Sequence, residues 1–444
     1  MSFDSRVYLT IADLISTHGG SIKTGPFGTA LKASEYVTQG APLISVKEIG
    51  HGEFHVGHKT PCVGPATLSR LPEYILQKGD IVFARKGGIE RCSLVREQQV
   101  GWFLGSDGIR LRPPSTCDAR FLAYSLQTQA TKDWLLQHST GSTMASLNGA
   151  TIGRLPIVLP SLSEQNLVSD VLEALDDRII LLRETNATLE AIAQALFKSW
   201  FVDFDPVRAK MEGRTPEGMD EATAALFPEG FETSELGDVP RGWQVKSLDS
   251  VAHYLNGLAL QKFPPTGCDD LPVIKIAQLR KGNAVGSDLA SRAIKPEYVV
   301  QNGDVLFSWS GSLEVEIWCG GAGALNQHLF KVTSPKYPKW FYYLWTRHHL
   351  ENFRQIASSK ATTMGHIQRS HLSAAKVVVG SDVVLDSADG ILNPMIDRIV
   401  SNALQAQTLS TLRDTLLPRL ISGQLRLPEP PIANEIAPSG SLQA

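Results

Sequence analysis

The chain says one thing twice. "QKGDIVFARKGG" (residues 77–88) returns as "QNGDVLFSWSGS" (301–312), and self-similarity over so long an offset limits the architecture more than composition does. "APLISVKEIG" (41–50) answers to "LPVIKIAQLR" (271–280) at an offset of 230, and Asp80 answers to Asp304 at 224. The stretches beginning at Phe121 and Phe341 align at 220, as do "DDRIILL" (176–182) and "IDRIVSN" (396–402). The offset settles toward each C-terminus, as expected where loops vary early and later elements are rigid. A chain of 444 residues is too long for one ordinary core, and two copies of one module fit that length.

Each module reads as mixed α/β. "PLISVKEI", "GDIVFAR" and "GIRLRP" are short β-branched runs between Gly and Pro signals, followed by an amphipathic helix near "ARFLAYSLQTQATKDWLLQH". The second copy offers "PVIKIAQL", "GDVLFSWS", "HLFKVTS" and a helix in "WFYYLWTRHHLENFRQIA".

A long helix follows each module. Val168, Leu172, Leu175, Ile179, Leu182, Asn186, Leu189, Ala193, Leu196 and Trp200 step by four and three without a break, the spacing of a coiled-coil seam. The second series is Ala388, Leu392, Met395, Ile399, Asn402, Ala406, Leu409, Arg413, Leu416 and Leu420, with one charged interruption. Ser161 and Glu164 form a capping-box pattern that starts the first helix. The second has no such box, and its start is expected near Gly390 to Pro394. Asn186 and Asn402 are polar seam positions that would penalise other registers. Two helices each packed on its own module are the alternative. The expected layout is a module over 1–160, a spacer helix over 161–202, a surface connector over 203–240, a module over 241–385, a spacer helix over 386–426 and a disordered tail over 427–444.

The net charge of −3 hides its distribution. Lys and Arg exceed Asp and Glu by 4 in residues 1–160 and by 7 in 241–380, whereas 161–240 carries −11 and 381–444 carries −3. Screening confines each field to about 10 Å, so a polyanion beside a basic block responds to that block and not to the sum. Five scattered cysteines without a CxxC pair fit a reduced, cytoplasmic protein, and no apolar run approaches a membrane span. His51, His55 and His58 lie close together, but glycines at 50, 52 and 57 break any helix that would align them for a metal. No GxxxxGK[ST] loop is present, "GGAGALN" (320–326) lacks the third glycine of a dinucleotide fingerprint, and "NPMI" (393–396) lacks a stacking aromatic. No catalytic or metal-binding constellation emerges.

The combination of "IKTGPFGTALKASEY", the "KGDIVFARKGG" and "NGDVLFSWSGS" pair, "LPIVLPSLSEQ" running into the first helix, "LGDVPRGWQVKSLDSVA" and the terminal "LRDTLLPRLISGQLRL" resembles the DNA-specificity subunit of type I restriction-modification systems, over about residues 5–427. The resemblance implies two α/β target recognition domains, each reading half of a split site, separated by two long helices in an antiparallel coiled coil with pseudo-two-fold symmetry. A helix of some 34 residues is roughly 50 Å long, more than one turn of B-DNA. It also implies that the chain is not itself an enzyme. Its partners would be double-stranded DNA, two methyltransferase subunits that dock on the helices, and ATP-driven restriction subunits; S-adenosylmethionine, ATP and Mg would be bound by those partners. A coiled-coil scaffold that binds no DNA is the alternative.

On this reading the repeated glycine loop brings backbone close to DNA, with Arg85, Lys86 and Arg91 in one copy and Trp309 and Ser310 in the other. Further candidate contacts are Lys23, Thr24, Phe27 and Lys32 around "TGPFG", Ser142 and Thr143 beside the first module's helix, and Lys360, Thr362, Thr363, His366, Gln368 and Arg369 beside the second's. Lys and Arg would hold phosphates, and Gln or Arg could fork onto a purine edge. Lys262, Arg280 and Lys281 are weaker candidates.

Overall fold

The main sheets of the two modules correspond strand for strand. The computed structural model describes residues 7–141, 144–359 and 365–428. The chain packs as two compact units, one taking residues 1–177 and 409–444, the other 178–408, so each unit holds part of both long helices.

In the first unit an antiparallel sheet runs Ser21–Thr24, Gly108–Arg112, Ile81–Ala84, Cys92–Leu94, with Ile81 opposite Leu111 and Ala84 opposite Gly108. A smaller sheet of Tyr36–Val37, Cys62–Val63, Ala41–Ile44 and Phe103–Leu104 ends in a parallel pair. Val7–Thr10 pairs with Pro156–Leu159 and ties the start of the module to its end. The second unit repeats this order with His253–Asn256, Leu329–Thr333, Val305–Ser308 and Val315–Ile317. Its small sheet again holds one parallel pair, and Gln244–Ser247 closes on Lys376–Val379. Both central strands, Ile81–Ala84 and Val305–Ser308, are buried at every residue, which is why their sequences read as unbroken apolar runs.

The structure departs from the expected elements in four places. The amphipathic stretch after each main sheet is two helices, not one: Ala119–Leu126 then Gln129–Gln137, and Lys339–His348 then Leu350–Ser359. In the first copy the Thr128 side chain accepts the Thr131 N–H and starts a new helix before the old one can continue. "PVIKIAQL" is a strand only over Leu271–Ile274, after which Ile276–Lys281 is helical. The connector expected on the surface instead buries Phe204, Val207, Phe227 and Val239 among the aromatic side chains of the second unit. The second long helix starts at Asp382, so Gly390 and Pro394 lie inside it. Pro394 can donate no N–H to the carbonyl four residues back, Gly390, a fault costing about 3 kcal/mol in an isolated helix. Burial of Val384, Ala388, Leu392 and Ile396 on either side outweighs it. Of the tail, only Leu427 and Pro428 fall within the described residues.

The long helices, Leu162–Phe201 and Asp382–Ser422, pair antiparallel: a step up one is a step down the other. In the first unit Arg413 meets Asp176 at 2.6 Å, and Val168, Leu172, Leu420 and Ile421 share one buried cluster. In the second, Asn402 donates to the Asn186 side chain at 2.9 Å, while Asn186 donates to the Ile399 carbonyl at 2.9 Å. Of the predicted seam, Leu175, Leu189, Leu196, Met395, Ile399, Leu409 and Leu416 are half-buried, while Ile179, Leu182 and Asn402 are buried. Ser161 caps the first helix through its hydroxyl, which accepts the Glu164 N–H at 3.3 Å. The charged interruption at Arg413 is paired rather than stranded, because its guanidinium bonds one Asp176 oxygen; the other oxygen accepts the Tyr124 hydroxyl at 2.7 Å. The helices also pack on the modules. In the second unit Phe197, Trp200 and Phe201 sit among Trp340, Phe341 and Trp345, so pairing and module packing coexist. No helix among the described residues is long and apolar enough to cross a membrane.

Candidate nucleic-acid interface

The repeated "GD" is a structural device. Gly79 and Gly303 turn with φ of +86° and +88°, a region that favours glycine. Asp80 then accepts the Gln77 N–H at 2.8 Å and Asp304 the Gln301 N–H at 2.8 Å, so the same carboxylate-closed turn launches both central strands. The Asp80 side chain is wholly buried, which it tolerates because the Arg112 guanidinium forks onto it at 2.6 and 2.8 Å. In the second module Lys331 meets Asp304 at 2.8 Å and supplies the same neutralisation from a different position.

Where each central strand emerges, three segments converge into a rim, and the two rims are held by the same backbone bonds. The Arg85 N–H donates to the Asp107 carbonyl at 2.8 Å, and that of Trp309 to the His328 carbonyl at 3.3 Å. Leu147 donates to the Arg85 carbonyl at 2.8 Å, as Ile367 does to that of Trp309 at 3.0 Å; Gly87 donates to Ala145 at 3.3 Å, as Gly311 does to Gly365 at 2.8 Å. Gly25 and Gly257 cross beneath, where a Cβ would lie 1.8 Å from the Gly105 oxygen in one copy and 2.2 Å from the Asn326 oxygen in the other. Only glycine permits that approach, so "TGPFG" and "LNGLA" both carry it.

On this shared frame the side chains differ in kind. In the first rim the Arg85 guanidinium lies 4.7 Å over the ring of Phe27, itself 54% exposed, and donates to the Ser106 carbonyl at 3.3 Å. The Lys86 ammonium faces the Asp107 carboxylate at 3.6 Å. In the second rim the Trp309 indole N–H is shared between Asn256 Oδ1 at 3.0 Å and the Gln327 carbonyl at 3.2 Å. Its ring packs near Phe330, His328 and His366. Ser310 Oγ lies 3.0 Å from His328 Nδ1. The first rim thus presents two fixed cations and a carboxylate, and the second a set of amides and imidazoles.

The structure therefore gathers Phe27, Arg85 and Lys86 in one rim and Trp309, Ser310 and His366 in the other; Thr24 ends the strand just before Gly25. Arg369 stands behind the second rim, its guanidinium 5.5 Å over Phe330 and bonded to the Tyr254 carbonyl at 3.1 Å. Other candidates are engaged elsewhere. Arg91 spends its guanidinium on the carbonyls of Gly87, Gly88 and Ile49, and so supports the first loop from beneath. Lys23 is held by Glu73 at 3.6 Å over the Tyr74 ring, Lys32 is exposed beside a short 3-10 turn, and Gln368 begins a short helix. Lys262 ends a 3-10 turn, and Arg280 and Lys281 end the helix Ile276–Lys281. Ser142, Thr143, Lys360, Thr362 and Thr363 lie outside the described residues. Residue-by-residue reading missed Ser106, Asp107, Asn256, Gln327 and His328. No sequence signal marks them: it is the pairing of the return strands with the central strands that sets Gly108 against Leu329, and hence Asp107 against His328.

The family of type I restriction-modification DNA specificity domains matches the chain twice, over residues 32–191 and 240–379. The specificity subunit of the type I restriction enzyme MjaIX from Methanocaldococcus jannaschii is 24% identical over 431 residues, covering 94% of this chain and 93% of that one. That of HindI from Haemophilus influenzae is 24% identical over 415 residues, covering 79% and 87%. The crystal structure of the type I S subunit from M. genitalium shares the fold with a TM-score of 0.55 at 14% identity, over 95% of this chain and 97% of that one. Two family matches, one over each module, that together cover most of the chain establish that it belongs to the family of type I restriction-modification DNA specificity domains.

Proposed function

We propose that the chain is the DNA sequence-recognition subunit of a type I restriction-modification complex, binding a bipartite, asymmetric site. Each module reads one half-site, and two partner methyltransferase subunits dock on the paired helices and methylate adenine N6. Restriction follows where an ATP-driven subunit joins, and S-adenosylmethionine, ATP and Mg are bound by those partners. The observation that carries the reading is the pair of rims: one backbone frame made twice, bearing different side chains. A frame kept constant under changing side chains is what reading two different base sequences requires, since backbone and phosphate contacts position a protein and side chains on base edges specify.

Methylome sequencing of cells that carry this chain with its methyltransferase tests the proposal. The expected result is a split motif with unlike halves that disappears when the gene is deleted. Exchanging the first module for that of a relative should alter one half only. An uninterrupted motif, or both halves changing on exchange, would contradict it.

A further inference from the structure

Resting on that DNA-recognition reading, we infer that the two residues entering the return strand form the specificity-determining position of each rim, Ser106 and Asp107 in the first module and Gln327 and His328 in the second, with Asp107 and Gln327 making the base contacts.

These positions are equivalent by hydrogen bonding, since the loop residues Arg85 and Trp309 donate their N–H groups to the carbonyls of Asp107 and His328. Around them the frame is conserved between copies: glycine at 25 and 257, at 79 and 303 and at 87 and 311, and aspartate at 80 and 304. At the pair itself a hydroxyl and a carboxylate in one copy face a carboxamide and an imidazole in the other.

In the second rim the loop side chains that sequence alone singles out are occupied with holding this pair. Trp309 has one polar hydrogen, already divided between Asn256 and the Gln327 carbonyl, and its ring is packed on one side by Phe330. Ser310 is only 3% exposed and its hydroxyl is engaged by His328. Trp309 has no hydrogen left for a base, and Ser310 is too deeply buried to reach one. Gln327 has polar atoms to spare: its side-chain hydrogen bond among the described residues is a long one, 3.4 Å from Nε2 to His328 Nε2, which leaves the carboxamide oxygen and one amide hydrogen for a ligand. In the first rim Lys86 and Asp107 stand 3.6 Å apart, and both are partly exposed.

The chemistry then selects bases. A carboxamide offers a donor and an acceptor side by side, the complement of adenine N7 and N6 in the major groove. An ammonium beside a carboxylate offers a donor and an acceptor on separate arms, the complement of guanine O6 or N7 and cytosine N4 within one base pair. The second half-site therefore contains an adenine read by Gln327, and the first a G·C pair read by Lys86 with Asp107.

The experiment is a selection by the full chain from a duplex library with two randomised blocks at varied separation. Gln327→Ala should relax one adenine position in one half-site by about 10- to 100-fold and leave the other half-site intact. Gln327→Glu should move that preference toward cytosine, whose N4 group a carboxylate accepts. Asp107→Ala should relax a G·C position in the opposite half. Retention of the untouched half-site shows in each case that the variant is folded. If Gln327→Ala and Asp107→Ala both keep the wild-type motif, or each degrades both halves alike, the inference fails while the recognition role stands. Failure of the wild-type chain to enrich any split motif would instead overturn the recognition role, and this inference with it.

Discussion

At the scale of single residues, Arg347 shows how a side chain can join a long helix to a module. Its guanidinium reaches Glu190 of the first long helix at 2.9 Å and Glu316 of the module's edge strand at 3.6 Å, and bonds the Val315 carbonyl and the Tyr343 hydroxyl. Tyr343 in turn donates to Glu190 at 2.6 Å. One cation thus serves two carboxylates with a third, Glu314, nearby. Partial burial pushes the Glu316 carboxyl up to about 7, with Arg347 opposing the rise and Glu190 and Glu314 adding to it. The folded value lies above the unfolded 4.5, so the stability linked to this proton is full below about pH 4.5 and lost as the pH rises through 7. The effect is modest, because 42% of the Glu316 side chain remains in solvent. Thermal melts between pH 5.5 and 8.5 should show the wild type losing about 2 °C more than Glu316→Gln across that window; parallel curves would show that the carboxyl ionises without consequence. None of this coupling was legible in the sequence, and neither was the bonding of Arg91 to the carbonyls beneath its loop. Which cations are spent on carbonyls and buried acids depends on chain directions that residue types do not state. The rim loops were legible because their glycines and aspartates answer the demands of the turn, whereas Asp107 and His328 share a position without sharing chemistry.

At the scale of elements, the long helices were the most legible part, since each repeats one spacing along its whole seam. The error at Gly390 and Pro394 came from judging breakers locally, when a long buried stripe on either side holds the backbone helical through them. The short helices after each sheet failed in the opposite sense: Thr128 interrupts an amphipathic pattern that continues across it. The paired asparagines are a testable element of register. Asn402 is 1% exposed and donates to Asn186, so replacing Asn402 by Leu strands an amide oxygen in the seam and should cost about 1–3 kcal/mol in urea unfolding. Replacing both asparagines by Leu removes donor and acceptor together and should recover most of that loss, as apolar seam positions do in coiled coils. A double variant as unstable as the sum of the two singles would mean that the asparagines do not act as a pair.

At the scale of the whole molecule, the net charge of −3 was the most misleading quantity, because it averages basic modules with an acidic middle. What a polyanion meets is local, and the two rims differ locally: Arg85 and Lys86 line one, and the side chains that gather in the other are aromatic, amide, hydroxyl and imidazole. Binding to DNA releases counterions in proportion to the phosphates neutralised, with a slope of log affinity against log salt of about −0.9 per contact. The salt-dependent share should therefore be carried unequally. Arg85→Ala should flatten the slope by about one unit, because its guanidinium rests on the face of an exposed Phe27 with most of its donors unused. Trp309→Phe keeps the aromatic packing, removes an indole hydrogen already bound within the protein, and should leave the slope unchanged. Affinities measured by titration at four or five salt concentrations on one duplex decide between these outcomes. Equal flattening by both substitutions would mean that each acts by unsettling its module rather than by what it presents to the phosphates, and the division into a charged rim and an uncharged one would have to be given up.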